Sequence, residues 1–391
     1  MNPDNGIDLA GILGQAATMA QDVTFQSVRG WKAQHENAKA IGYFPVYTPV
    51  ELIHAAGALP VGLNGAGDQL DIQHADARFG SFICSIVKTT MELALTGHLE
   101  PLDGMLFHSI CDSARNLCFV YKRHFAENLY VDFLHLPHNP SSVASQEFLV
   151  SEYRRLKKNL ENLTNRTVTD QDIRLAIKVY NENRRALSDL YRYRQEEPHM
   201  LPTAELYVLQ RAGNFMPVEE HTQWLKAVRQ ALPNRPMKRR DSIRVVVEGS
   251  FCEQPPIGFI KILEGAGCYV VDDDFLLGKR WFTEDVPIGD DPIHDLAESY
   301  VQRSVYSSVR HDWRKPRFLG LVEKVKAGKA DAVVFCLAKF CEPAFFDYVL
   351  FKRELEKEGI PHLLIEFEEK MFTFDRARTE IETFVESLLF E

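Results

Sequence analysis

The chain has 391 residues, with 45 Lys+Arg against 55 Asp+Glu and a formal net charge of −10; 45% of residues are hydrophobic and 26% charged. This is soluble-globular composition, long enough for two domains that bury real cores without disulfide or metal staples. It excludes a disordered chain, a collagen-like repeat and a small disulfide scaffold, and the acidic balance argues against a nucleic-acid-binding surface.

The N-terminus lacks a basic n-region, and its apolar stretch is too weak for a signal peptide. No window approaches 18 uninterrupted apolar residues, so no membrane span is expected. The seven cysteines (84, 111, 118, 252, 268, 336 and 341) are odd in number and widely spread, which suits reduced thiols in a cytoplasmic protein.

In chain order, residues 42–47 (GYFPVY) predict a strand, and Thr48-Pro49-Val50-Glu51 opens a helix with Thr as N-cap. A helix over 82–95, a strand over 105–110, a helix over 111–125 and a strand over 131–136 follow. Strands alternating with helices imply βαβ units and a mostly parallel sheet. Residues 144–232 contain no convincing strand, only charged amphipathic segments, one of them opened by Thr169-Asp170. Pro233 to Arg240 (PNRPMKRR) reads as a linker. The α/β rhythm resumes with a strand over 243–249, a helix over 256–264 and a strand over 268–271. Residues 272–313 are less regular. A helix over 315–327, a strand over 332–338, a helix over 342–358, a strand over 361–367 and a terminal helix complete the chain. The expected architecture is therefore α/β: a parallel-sheet domain over 1–143 with leading helices, a helical connector over 144–240, and a second parallel-sheet domain over 241–391.

The two α/β parts echo each other. MLFHSI leads into Cys111-Asp112, a helix and VDFLHL; VVFCLAKF leads into Cys341-Glu342, a helix and HLLIEF. Ligands of open α/β sheets bind outside the carboxyl ends of the strands. Cys111 and Cys341 both fall at that edge, where a helix N-terminus favours a thiolate. Cys84 opens another helix after Gly80-Ser81, and Cys252 follows a strand, a fourth candidate by position. Cys118, Cys268 and Cys336 read as small buried hydrophobes. No local C-x-x-C pair exists, so neither a zinc ribbon nor a ferredoxin-type cluster is expected, and any metal site must be assembled from distant loops.

Other motifs carry less. Gly62–Gly67 (GLNGAG) lacks G-x-G-x-x-G spacing, and there is neither a P-loop nor a G-x-S-x-G elbow. Asp272-Asp273-Asp274 reads as a solvated loop or helix cap rather than a cation site.

GYFPVYTPVELIHAAGALPVGL, FICSIVKTTMELALTG, LDGMLFHSICDSARNL and VVFCLAKFCEPAFFDYVLFKRELEKEGIPHLLIEFE resemble the 2-hydroxyacyl-CoA dehydratase/benzoyl-CoA reductase family, from about residue 40 to the C-terminus. The resemblance implies two flavodoxin-like (Rossmann-like) domains. It also implies a [4Fe–4S] cluster on Cys84, Cys111 and Cys341, one iron being left open for water or substrate oxygen, with Cys252 a doubtful further ligand. EGSFCEQPPIGFIKILEGAGCYVVDDDFLLGKRWF looks closer to the smaller catalytic subunit of the ATP-dependent benzoyl-CoA reductases. That implies two-electron reduction of benzoyl-CoA to a cyclohexadiene-carboxyl-CoA. The implied partners are a related cluster-binding subunit, two ATPase subunits sharing another [4Fe–4S] cluster, a ferredoxin as electron donor and the acyl-CoA substrate. The alternatives are a 2-hydroxyacyl-CoA dehydratase subunit, a lyase, and a non-catalytic electron relay. Candidate proton donors are His108, Asp112, Glu253 and His135, each of which also reads as a cap or structural hydrogen-bonder. Phe82, Phe251 and Phe340, close to the cysteines, could wall a slot for a flat acyl group.

Overall fold

The structure, a computed structural model, describes residues 8–140, 142–250, 252–275, 284–305, 316–368, 371 and 373–390. Two leading helices, α1 (Leu9–Gln21) and α2 (Gln26–Gln34), precede the first sheet. This sheet contains β1 (Ala40–Tyr43), β2 (Leu59–Gly62), β3 (Gly104–His108) and β4 (Tyr130–Leu134), all parallel, in the order β2-β1-β3-β4. The second sheet contains β5 (Ile243–Gly249), β6 (Cys268–Asp273), β7 (Ala332–Ala338) and β8 (His362–Phe367), all parallel, in the order β6-β5-β7-β8. The two orders are the same, 2-1-3-4 in each. The echo read from Cys111 and Cys341 is thus a topological one, since both follow the third strand of their sheet.

Three segments depart from the expected pattern, each for a local reason. β2 was not anticipated: Leu59-Pro60-Val61-Gly62 is short and carries a proline, which cannot donate to a ladder. It survives because it is an edge strand, bonded only to β1. β1 starts at Ala40 and stops at Tyr43 rather than running to Tyr47, although the Phe44 N–H still donates to the Leu106 carbonyl at 2.9 Å. Pro45 then ends the pairing. The helix expected from Thr48 begins at Val50 (α3, Val50–Ala55), after Pro49 rather than at it.

The helical stretch consists of α6 (Val143–Thr164), α7 (Asp170–Glu196), α8 (Thr203–Ala212) and α9 (Val218–Ala231). α7 is opened by a capping box: the Asp172 N–H donates to Thr169 Oγ1 at 3.2 Å, and the Thr169 N–H to Asp172 Oδ2 at 2.8 Å. These helices have no core of their own. Leu149, Tyr153 and Leu156 of α6 and Ile173 and Ile177 of α7 are buried with β3 of the first sheet. Further along the same helix, Leu187 and Leu190 join Leu206, Leu209 and Leu225 against Val245, Val247 and Val334 of the second. α7 is therefore a shared beam between the sheets. Leu296 and Tyr300 from the helix Pro292–Gln302, well past the linker in sequence, also lie in the first core.

Asp272, Asp273 and Asp274 are all buried, not solvated. Asp273 accepts from the Tyr191 hydroxyl at 2.7 Å and pairs with Arg194 at 2.6 Å; Asp274 accepts the Gly249 N–H at 2.7 Å and faces Arg317. These acids tie the end of β6 to its neighbours.

At the other sheet, Asp132 on β4 accepts from Arg155 of α6 through both oxygens at 2.9 Å, from the Tyr130 hydroxyl at 2.8 Å and from Asn159 at 3.1 Å. Burial alone would raise its pKa, but the Tyr130 hydroxyl, Arg155 and Asn159 together hold it below the ordinary aspartate value. A depressed folded-state pKa contributes stability above the unfolded value, near 3.9, that is lost as pH falls through the folded one. The acid limb of a stability–pH curve should accordingly flatten in Asp132→Asn. Urea midpoints measured from pH 6 to pH 3 check this, and equal slopes in the two proteins would contradict it.

Candidate metal centre

Three helices begin at cysteines. α4 (Ser85–Leu95) has Cys84 as N-cap, α5 (Asp112–Phe125) has Cys111, and the helix Glu342–Glu358 has Cys341. N-caps are normally Ser, Thr, Asp or Asn, whose oxygens satisfy the free amides of the first turn. A thiol is a poor acceptor, so three in this role need another reason. The sulfur of Cys111 accepts the Ala114 N–H at 3.4 Å, while Cys84 and Cys341 make no side-chain cap bond.

The three meet at one cavity of about 400 Å³ between the two sheets, within the range of small-molecule sites. Cys84, Cys111, Cys252 and Cys341 all line it, and all four are half-buried, whereas Cys118, Cys268 and Cys336 are buried in the cores. Cys252 Sγ donates to the Pro45 carbonyl at 3.5 Å, so the loops after the first strands of both sheets touch here. Burial pushes the Cys84 thiol well up, helped by Glu253 and by the other cysteines, and burial pushes the Cys111 thiol up to about 11. Thiols this close resist ionising together, and a bound metal supplies the charge that ionises them.

The donor set fits an iron–sulfur group. Soft thiols from both sheets, with no histidine pair among them, suit Fe–S chemistry better than a hard cation. The sulfurs of Cys84, Cys111 and Cys341 do not all lie within 4.8 Å of one another, as the ligands of one ion would. A cluster, which has extent, sits between more widely spaced thiolates. Among the described residues the group spaced for a single ion is His294, Asp295 and Glu298, elsewhere, on the helix Pro292–Gln302.

The walls are aromatic and polar in turn. Phe82 and Phe340 line the cavity with exposed rings, while Phe251 lies outside the described residues. Phe340 has a left-handed backbone, φ +66°, immediately before Cys341. For a residue with a side chain that conformation costs about 1–2 kcal/mol, and such strain gathers at functional sites. The Lys339 ammonium lies 5.1 Å from the centre of the Phe340 ring.

The acid and base candidates separate clearly. His108 is fully buried, does not line the cavity, and faces the Phe44 carbonyl through Nε2 at 3.1 Å. Burial lowers its pKa to about 4, so it is neutral at pH 7 and its place is structural. His135 is exposed, packs edge-on to Phe133, and is also outside the lining. Asp112 lines the mouth but is exposed and paired with Arg115 at 2.5 Å. Glu253 lines the cavity and is buried. Sequence reasoning passed over His138, which also lines it. Its position just beyond β4, at the carboxyl edge of the sheet, was the available signal.

Two parallel sheets of one topology, meeting at a cavity ringed by half-buried thiols, define a two-domain α/β protein with a candidate metal centre between its halves. The family model described as 2-hydroxyglutaryl-CoA dehydratase, D-component, matches residues 45–388, and the chain belongs to that family. The chain is 37% identical to a benzoyl-CoA reductase subunit of Thauera aromatica, over 97% of this chain and 98% of that one. It is 34% identical to the (R)-phenyllactyl-CoA dehydratase beta subunit of Clostridium sporogenes, over 90% and 92%. To the beta subunit of (R)-2-hydroxyglutaryl-CoA dehydratase of Acidaminococcus fermentans it is 29% identical, over 91% and 94%. Each of these relatives is a subunit of a larger enzyme. No helix among the described residues is long and apolar enough to cross a membrane.

Proposed function

We propose that the chain is the iron–sulfur subunit of a benzoyl-CoA reductase, an oxidoreductase that reduces the aromatic ring of benzoyl-CoA to a cyclohexadiene-carboxyl-CoA. The observation that carries this is the convergence of Cys84, Cys111 and Cys341 on one cavity, in a chain that aligns with a benzoyl-CoA reductase subunit over nearly its whole length. These three thiols would hold a [4Fe–4S] cluster with one iron open. Such a cluster, when bound, supplies single electrons at low potential.

The chain's own groups then do two things. The helix N-termini at Cys84, Cys111 and Cys341 turn their positive ends toward the cavity, which favours thiolates and the negative charge that builds on a thioester oxygen as the ring accepts an electron. Phe82 and Phe340 offer flat apolar walls to an aromatic acyl group and limit water around it. The ring gains two electrons and two protons, and no water leaves the substrate. The electrons must arrive from outside this chain, which has no nucleotide-binding motif. Partner subunits are accordingly part of the proposal: a related cluster-bearing subunit, and two ATPase subunits with a shared cluster, fed by ferredoxin in the cytoplasm of an anaerobically growing cell.

A dehydratase reading is favoured by one observation, the 34% identity to a phenyllactyl-CoA dehydratase subunit, whose substrate is also aromatic. Electron stoichiometry separates the two. The complex purified without oxygen is supplied with benzoyl-CoA or (R)-phenyllactyl-CoA, ATP and a strong reductant. The expected result is ring reduction consuming two electrons per product. Dehydration with only priming electrons, and no ring reduction, would establish the lyase instead.

A further inference from the structure

Glu253 stands one residue past Cys252, in the loop after β5 of the second sheet, yet its carboxylate is spent on the first. Its Oε2 accepts the Ile86 N–H at 3.2 Å, and its Oε1 accepts the Ser85 hydroxyl. Ser85 and Ile86 are the first two residues of α4, the helix whose N-cap is Cys84. A helix start leaves free N–H groups that an N-cap oxygen usually takes. Cys84 makes no such bond, and Glu253 supplies it from the opposite half of the molecule. The glutamate is 3% exposed at the cavity wall, and the Ser85 hydroxyl and the Ile86 N–H, the donors just past Cys84, compensate its carboxylate. This is an unusual use of a buried carboxylate unless something is gained by placing charge there.

We propose that Glu253 is a positioning residue that clamps the first turn of α4 from the other sheet, sets Cys84 in register with Cys111 and Cys341, and holds the potential of the bound cluster low by its fixed charge. The inference rests on the cluster reading above. Cluster potentials follow net charge and hydrogen bonding around the sulfurs. A carboxylate in the wall of the same cavity disfavours the added electron, making the reduced cluster the stronger reductant. Dearomatisation needs a strong reductant. The clamp also makes the cysteine geometry depend on the seating of the two sheets, because the cap and the helix come from different halves.

The test uses the complete complex purified without oxygen and first asks whether wild type shows an electron paramagnetic resonance signal that Cys84→Ala abolishes. Absence of that signal would remove the cluster reading itself, independently of Glu253. With the signal present, Glu253→Gln is expected to keep its iron, move the midpoint potential of that signal to a less negative value and change its g-values. Glu253→Asp restores the charge and is expected to return the potential toward wild type. A wild-type potential and spectrum in Glu253→Gln overturns the proposal, and so does a Glu253→Asp potential displaced as far as that of Glu253→Gln. If Glu253→Gln does not accumulate, Ser85→Ala takes its place, since it removes one donor to the carboxylate and no charge. A changed line shape there supports the clamp, and an unchanged one overturns it.

Discussion

Replacing Cys84, Cys111 or Cys341 with alanine is expected to strip the protein of most of its iron, from about four atoms per chain in an intact [4Fe–4S] centre. Each supplies one of the three half-buried thiols that begin helices at the shared cavity. Losing one leaves two ligands in a site open to water, too few to hold a cluster through purification. Cys118→Ala and Cys336→Ala should retain full iron, because both sulfurs are buried in the cores away from the cavity. Cys252 is the discriminating position. It lines the same cavity, but its thiol donates to the Pro45 carbonyl, so Cys252→Ala should keep the cluster. Iron analysis and the visible absorption band of anaerobic protein read all six variants. Wild-type iron in any of the first three would refute the ligand assignment, and iron loss in Cys252→Ala would mean four protein ligands and no open iron.

The largest expected effect on stability lies away from the cavity, at Arg194 and Asp273. Both side chains are almost wholly buried and meet at 2.6 Å, joining the end of α7 to the end of β6. Arg194 also stacks on the Tyr191 ring at 4.7 Å, and the Tyr191 hydroxyl donates to the same aspartate. Removing one partner of a buried pair leaves an uncompensated charge in the core, at a cost of about 3–5 kcal/mol. Asp273→Ala and Arg194→Met should each lower the unfolding free energy from urea titration by that amount. The double variant, with neither charge present, should recover part of the loss. Two single variants whose effects simply add would show that the ions are not coupled and that solvent reaches them.

Much of this was legible along the chain. Apolar runs of four to seven residues alternating with longer amphipathic stretches determine two parallel α/β sheets. β5, β7 and the helix Glu342–Glu358 begin and end where local pattern places them, since β5 is centred on Val245-Val246-Val247, β7 is an uninterrupted apolar run, and the helix is opened by Glu342-Pro343 and closed by Gly359. The repeated strand–Cys–acid–helix pattern also marked Cys111 and Cys341 as equivalent, and the shared strand order gives that pattern its structural meaning.

Pairing across long sequence separations was decided only by tertiary structure. Nothing local says that Leu59-Pro60-Val61-Gly62 will find β1, that α7 will serve both cores, or that buried Asp273 will be matched by Arg194 and buried Asp274 by Gly249 and Arg317. The same holds at the cavity. His108 and Glu253 look alike in sequence, each a polar residue near the end of a strand. One is turned into the core against the Phe44 carbonyl, and the other reaches across to the helix of Cys84. Periodicity is a property of neighbours on the chain, and it suffices to place the elements and the cysteines at their ends. Side-chain burial and charge pairing depend on which elements meet, and that was settled only when the two sheets packed together.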